Sequence, residues 1–380
     1  MGSEGDGPIP HRPPPPETAV IEPRLNLPED PDRIAGQMVL CGFAGKTLPD
    51  EVRRALAEGR LAGVVLFARN LGGPDEVRAL TGSIRAASEL PPLVAVDQEG
   101  GRVSRLQPPF TQWPSMRALG RRDDPALARE IAAAVADELL AVGINLNFAP
   151  VLDVDSNPSN PVIGDRSLGP KPERVTALGA AMIEGFLSAG LLCCAKHFPG
   201  HGDTGADSHQ ELPTVTADRA TISRRELPPF AAAIAAGVPV VMAAHVKFTA
   251  LDHYYPASIS PRILDGLLRE ELGFRGVIVT DDLEMGALMK NMPLTDAAFA
   301  AARAGADLLL VCSGPAPAEA ARRALKDAMR MGALSEGRSL LSVQRALALK
   351  ERFTSRPAAA DPRVIGCVRH QELAERVRGG

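Results

Sequence analysis

Two tyrosines and one tryptophan are all that 380 residues contain of the larger polar aromatics. A chain so poor in flat rings has little with which to build a long stacking platform. Its five cysteines, at 41, 193, 194, 312 and 367, are odd in number and irregular in spacing, so no disulfide framework is expected. Cys193, Cys194 and Cys312 lie in apolar runs and are expected as buried, reduced thiols, which suits a reducing compartment. There is no long basic run, and the net charge is -4, which argues against nucleic acid or an anionic membrane as partner. No stretch of eighteen apolar residues occurs, so no transmembrane helix is expected. The first residues, MGSEGDGPIPHRPPPPET, have no apolar core of a secretory signal. A cytoplasmic, monomeric protein is the expectation.

The chain is 45% hydrophobic and 23% charged, an ordinary globular balance. Residues 1–30, rich in Pro and Gly, read as a flexible extension. Residues 31–355 read as one domain, and 356–380 as a polar tail without diagnostic pattern.

Within the domain, short apolar runs alternate with longer helix-like segments. Candidate strands are 37–43, 62–67, 92–97, 144–149, 191–196, 239–244, 276–281 and 307–312. Runs such as VVLF, VIVT and LLLV are apolar on both faces, as in a covered parallel sheet. Helices are expected at 49–59, 74–89, 124–142, 171–189, 221–236, 261–272, 294–304, 316–331 and 338–353, several ending before a Gly that fits a C-cap. Eight β/α units predict a (β/α)8 TIM-type barrel, with a doubly wound open sheet as the alternative.

The active site of such a barrel lies at the C-terminal ends of its strands. There the sequence places Asp97, Arg102 and Arg105; Asn147, Asp153, Asp155, Asp165 and Arg166; Lys196 and His197; His245 and Lys247; and Asp281 and Asp282. Each alone could be a cap or turn residue, but their joint placement favours a site.

The densest stretch is KHFPGHGDTGADSH, residues 196–209. GHGDTG matches G-x-G-x-x-G but runs into a polar segment ending in Pro213, not an apolar helix, so a dinucleotide fingerprint is rejected. His197 and His201 are four apart, yet Pro199, Gly200 and Gly202 disfavour a helix there. Metal held in a loop with Asp203, Asp207 or His209 stays open as a minor reading; neither a metal nor another cofactor is expected. His201 and Asp203 are expected to brace the loop. Asp207 and His209 are two apart, and a carboxylate beside an imidazole can fix its tautomer and raise its basicity. Asp281 could act as a nucleophile; Asp282 would point to the other side of the strand. The remaining Asp, Arg, Lys, His and Asn side chains could hold several hydroxyls of one terminal sugar.

The order DQEGGRVSRL, NFAPVLDVDSNP, IGDRSLG, AKHFPGHGDTGADSH, VMAAHV and GFRGVIVTDDLEMGA resembles glycoside hydrolase family 3, more narrowly its bacterial single-domain β-N-acetylglucosaminidases of cell-wall recycling. The resemblance spans roughly residues 33–350. It implies a retaining mechanism with a covalent glycosyl-enzyme. Asp281 matches the family's nucleophile, and His209, paired with Asp207, its unusual acid/base. Asp97, Arg105, Arg166, Lys196 and His197 match positions that hold the N-acetylglucosamine ring. The implied substrate is a small carbohydrate, N-acetylglucosaminyl-β-1,4-anhydro-N-acetylmuramic acid with or without peptide. A phosphorolytic enzyme is the alternative, since a neutral histidine would not repel phosphate; a non-catalytic sugar-binding barrel is a third reading. Glu284, after Asp-Asp-Leu, departs from the family pattern and adds an acidic group near the site.

Overall fold

The computed structural model describes residues 26–208, 210–354 and 361–379. Eight parallel strands close into a barrel: β1 Val39–Gly42, β2 Gly63–Leu66, β3 Leu93–Val96, β4 Leu146–Asn147, β5 Leu192–Phe198, β6 Val240–Ala243, β7 Val277–Asp282 and β8 Leu308–Val311. Each strand pairs with its neighbours in the chain, and β1 closes on β8 with Val39 opposite Leu309. All eight fall where the apolar runs predict them, and the open-sheet alternative is excluded by the closure.

Period-two alternation sorts each strand between two cores. Leu40, Val65, Ala95, Leu146, Leu192, Met242, Val279 and Leu310 fill the barrel interior. Val39, Val64, Val94, Cys193, Val241, Ile278 and Leu309 belong to the shell between barrel and helices. The thiols of Cys41, Cys193, Cys194 and Cys312 are free and buried.

All nine expected helices are found, one of them broken, and the short helices Pro31–Gly36, Met116–Arg122 and Gly286–Met289 come in addition. The helix expected over 221–236 is two, Arg219–Arg225 and Leu227–Ala235, joined at Glu226. Pro228 and Pro229 lack the N–H groups a continuous helix would need, but fit the first turn of a new one. The helix Glu336–Thr354 presents Ala346 and Leu349 to the barrel interior.

Residues 1–25 and 355–360 lie outside the described residues. The segment read as a polar tail contains the helix Val368–Arg378, which buries His370, Leu373, Ala374 and Val377. His370 Nδ1 lies 2.9 Å from Glu138 Oε1 on the helix Pro125–Ala141, so this segment docks on the barrel's outer layer. Among the described residues, no helix is long and apolar enough to cross a membrane.

At the C-terminal face, a short parallel pair, Thr214–Val215 with Lys247–Phe248, ties the loop after β5 to the loop after β6. Lys247 sits in this pair.

Candidate active site

The last residues of β5 carry the polar load of the barrel mouth. The register of β5 against β6 shifts between Ala195 and Phe198, and irregularities of this kind re-aim side chains at the ends of strands. Lys196 and His197 both reach the mouth there.

Lys196 Nζ donates to Asp97 Oδ1 at 2.7 Å and pairs with Glu99 Oε1 at 2.6 Å. Burial disfavours the ammonium, but Asp97 and Glu99 outweigh it and hold the Lys196 pKa above its ordinary value. Arg166 meets the same carboxylate through two bonds, Nε to Glu99 Oε2 and Nη2 to Oε1, each 2.8 Å. Burial alone would raise the Glu99 pKa; Lys196 and Arg166 instead drive it far below the usual carboxylate range. Arg105 Nη2 stands 3.8 Å from Asp97 Oδ2 at the rim of this cluster.

Asp153, just past β4, holds the other half. One oxygen lies 2.7 Å from His197 Nδ1; the second accepts the His197 N–H at 3.1 Å and the His201 N–H at 2.7 Å. Burial opposes its ionisation, yet the His197 interactions outweigh this and keep the carboxyl below its ordinary pKa. His197 Nε2 approaches Arg166 Nη2 at 3.4 Å, which links the two halves.

Asp281, near the end of β7, lies within electrostatic reach of His197 and Lys196. Burial pushes its pKa up, but His197, His245, the Asp282 N–H and Lys196 pull harder and hold it below the ordinary value. The Asp282 N–H donates to Asp281 Oδ1 at 2.8 Å. Asp281 is thus an ionised carboxylate, partly accessible, at the barrel's open end. Asp282 differs: burial, with the nearby Glu284 and Asp281 charges, raises it to about 6. Its Oδ1 accepts from the Glu284 and Cys312 N–H groups at 3.2 and 3.3 Å. His245 Nε2 lies 2.9 Å from the Asp282 carbonyl and Nδ1 2.7 Å from Ser258 Oγ, so it supports the β7 end. Glu284 turns to the loop after β8, where Ser313 donates to it from N–H at 2.8 Å and from Oγ at 2.6 Å.

The loop after β5 bends sharply. Gly200 has φ +144°, and a Cβ at Gly202 would come within 1.8 Å of the Val154 carbonyl oxygen. His201 and Asp203 brace this loop: the His201 ring contacts Thr204 and Ser208, while Asp203 accepts from Ser156 and pairs with Arg225 at 2.7 Å. Asp207 begins a turn in which its carbonyl accepts from Gln210 and Glu211, both at 2.9 Å. His209 lies outside the described residues. Asp155 and Asp165 serve elsewhere, paired with Arg117 and Arg102. Among the described residues no group of three or more His, Cys, Asp or Glu is arranged to hold a metal ion.

The structure therefore gathers Asp97, Arg105, Arg166, Lys196, His197 and Asp281 at one end of the barrel. Sequence reasoning missed Glu99 and gave Asp153 no role. The available signal for Glu99 was Lys196 itself: an ammonium following the apolar LLCCA run needs buried counter-charge, and Glu99 stands two residues beyond Asp97.

Residues 32–349 match the model of the glycosyl hydrolase family 3 N-terminal domain. The chain is 40% identical over 292 residues to beta-hexosaminidase A of Pseudoalteromonas piscicida, covering 71% of this chain but only 49% of that protein. It is 41% identical over 287 residues to the beta-hexosaminidase of Nitrosomonas eutropha, covering 74% of this chain and 82% of that one. The solved family 3 β-N-acetylglucosaminidase from Paenibacillus is 42% identical, with a TM-score of 0.86 over 91% of this chain and 68% of that one. On the match of family model, barrel and motif order, the chain belongs to glycosyl hydrolase family 3.

Proposed function

We propose that this chain is a retaining exo-β-N-acetylglucosaminidase that releases non-reducing N-acetylglucosamine from peptidoglycan fragments. Family membership makes it a glycoside hydrolase, and relatives named beta-hexosaminidase and β-N-acetylglucosaminidase support the hexosaminidase activity. The finer substrate, N-acetylglucosaminyl-anhydro-N-acetylmuramic acid with or without peptide, rests on the motif resemblance. The reading of a cytoplasmic monomer whose catalytic domain spans 31–355 rests instead on composition and on the β/α pattern.

The observation that carries the mechanism is an Asp281 carboxyl held below its ordinary pKa by His197, His245 and Lys196, at the same end of the barrel as Asp97, Arg105 and Arg166. That cluster offers several donors and acceptors to the hydroxyls of one ring. The Asp281 carboxylate attacks the anomeric carbon; the glycosidic C–O bond breaks, and its oxygen takes a proton from His209. His209, oriented by Asp207, then takes a proton from water, which attacks the same carbon and frees Asp281. Two inversions give net retention.

Product analysis by proton NMR on an N-acetylglucosaminide, with and without phosphate, tests this reading. β-N-acetylglucosamine should appear first in both. N-acetylglucosamine 1-phosphate formed only with phosphate would overturn hydrolysis in favour of phosphorolysis.

A further inference from the structure

We infer that His201 is a positioning residue: its ring ties Ser208 to the floor of the β5 loop and so holds in place the adjoining Asp207, the proposed partner of the acid/base. The inference rests on the roles proposed above for Asp207 and His209.

The geometry is that of a clasp. The His201 backbone N–H is fixed on Asp153, and its carbonyl accepts from Asn160 Nδ2 at 2.8 Å. Asn160 is itself held, since its Oδ1 accepts the N–H groups of Val162 and Ile163 at 2.9 and 2.8 Å. From this anchored base, His201 Nδ1 reaches Thr204 Oγ at 2.9 Å and Nε2 reaches Ser208 Oγ at 2.9 Å. The stretch between them is open: Gly205 is exposed, and Ala206 and Asp207 are partly so. Ser208 is only 2% exposed, and its carbonyl accepts the Ala287 N–H at 3.1 Å, from the segment following Asp281 and Asp282. The loop thus returns to the protein at Ser208, gripped by His201 on one side and the β7 loop on the other.

The protonation pattern makes the clasp directional. Burial, reinforced by the His197 ring, lowers the His201 pKa to about 4, so the ring is neutral at pH 7 and carries one N–H and one lone pair. The Thr204 hydroxyl donates to the His201 carbonyl at 3.1 Å, which leaves its oxygen to accept from Nδ1–H. Nε2 then accepts the Ser208 hydroxyl proton. A general acid must sit within hydrogen-bond reach of the leaving oxygen, and a displacement of about 1 Å can cost roughly 100-fold in rate.

The test compares kcat/KM, which reports the glycosylation step, on an N-acetylglucosaminyl disaccharide and on the 2,4-dinitrophenyl glycoside, whose leaving group needs no proton. His201→Phe and Ser208→Ala should each lose roughly 30- to 100-fold on the disaccharide and less than about threefold on the aryl glycoside. His201→Gln, which places an acceptor near the former Nε2, should recover to within about fivefold of the parent on the disaccharide. Equal losses on both substrates, or none on either, would overturn the inference. Should His201→Phe fail to fold, Ser208→Ala, one oxygen smaller, decides alone. His209→Ala separates the two readings. If it shows no dependence on the leaving group, the proposed acid falls and takes this inference with it. If it shows that dependence and the His201 and Ser208 variants do not, only the clasp falls.

Discussion

Lys196 Nζ lies 2.6 Å from Glu99 Oε1, and the two side chains are almost wholly shielded from water. Glu99 also takes both bonds of the Arg166 fork, so one carboxylate bridges two cations beneath the barrel mouth, with Asp97 supplying the second negative charge. Glu99→Gln leaves those cations short of counter-charge, and removing one partner of a buried pair costs about 3–5 kcal/mol. The variant should lose that much unfolding free energy in a denaturant titration and at least about 100-fold in kcat/KM. The same pairing sets an acid limit. The Glu99 pKa is depressed in the fold, so its contribution to stability is fully present above its ordinary value of 4.5 and is lost as pH falls below it. Melting temperature against pH should show a decline below about pH 4 that is shallower in Glu99→Gln.

Asp282 has the opposite sign. Its pKa is raised from the usual 3.8 to about 6, so the folded protein binds a proton that the unfolded chain releases. Stability from this group is therefore lost as pH rises from about 4 through 6. Asp282→Asn keeps the Oδ1 acceptor for the Glu284 and Cys312 amides while removing the charge. It should raise the melting temperature at pH 7.5 more than at pH 4.5, measured by scanning calorimetry.

Gly202 lies where the β5 loop presses on the β4 loop. A methyl there would meet the Val154 carbonyl oxygen at 1.8 Å and its carbon at 2.5 Å, backbone atoms that cannot swing aside. Gly202→Ala should therefore displace the loop and lower kcat by roughly 100-fold on a disaccharide substrate. The chain should remain folded by circular dichroism, since the barrel strands do not depend on this contact.

The barrel was legible because each strand is a short apolar run between turn signals, and because burial on both faces leaves no ambiguity of side. Of the six expected residues gathered at the mouth, Asp97, Lys196, His197 and Asp281 were legible as ionisable groups placed jointly at strand ends, whereas Arg105 and Arg166 lie in loops and were named from the motif resemblance. Glu99 was not, because EGG after a strand looks like a turn, and its partners Lys196 and Arg166 are distant in sequence. The packing of residues 368–378 was visible in principle. His370, Leu373, Ala374 and Val377 recur at three, four and seven positions, a helical stripe that the surrounding charges obscured.

In the proposed mechanism Asp281 forms the covalent bond to the sugar. Incubation with 5-fluoro-N-acetylglucosaminyl fluoride, which slows release of a glycosyl-enzyme, followed by peptide mapping by mass spectrometry, tests it most directly. One sugar per chain, on the VIVTDD peptide at Asp281 and absent from Asp281→Asn, is the predicted result. A label on Asp282, Asp207 or Glu284, or a parent enzyme that turns over without labelling and releases the α-anomer first, would contradict it.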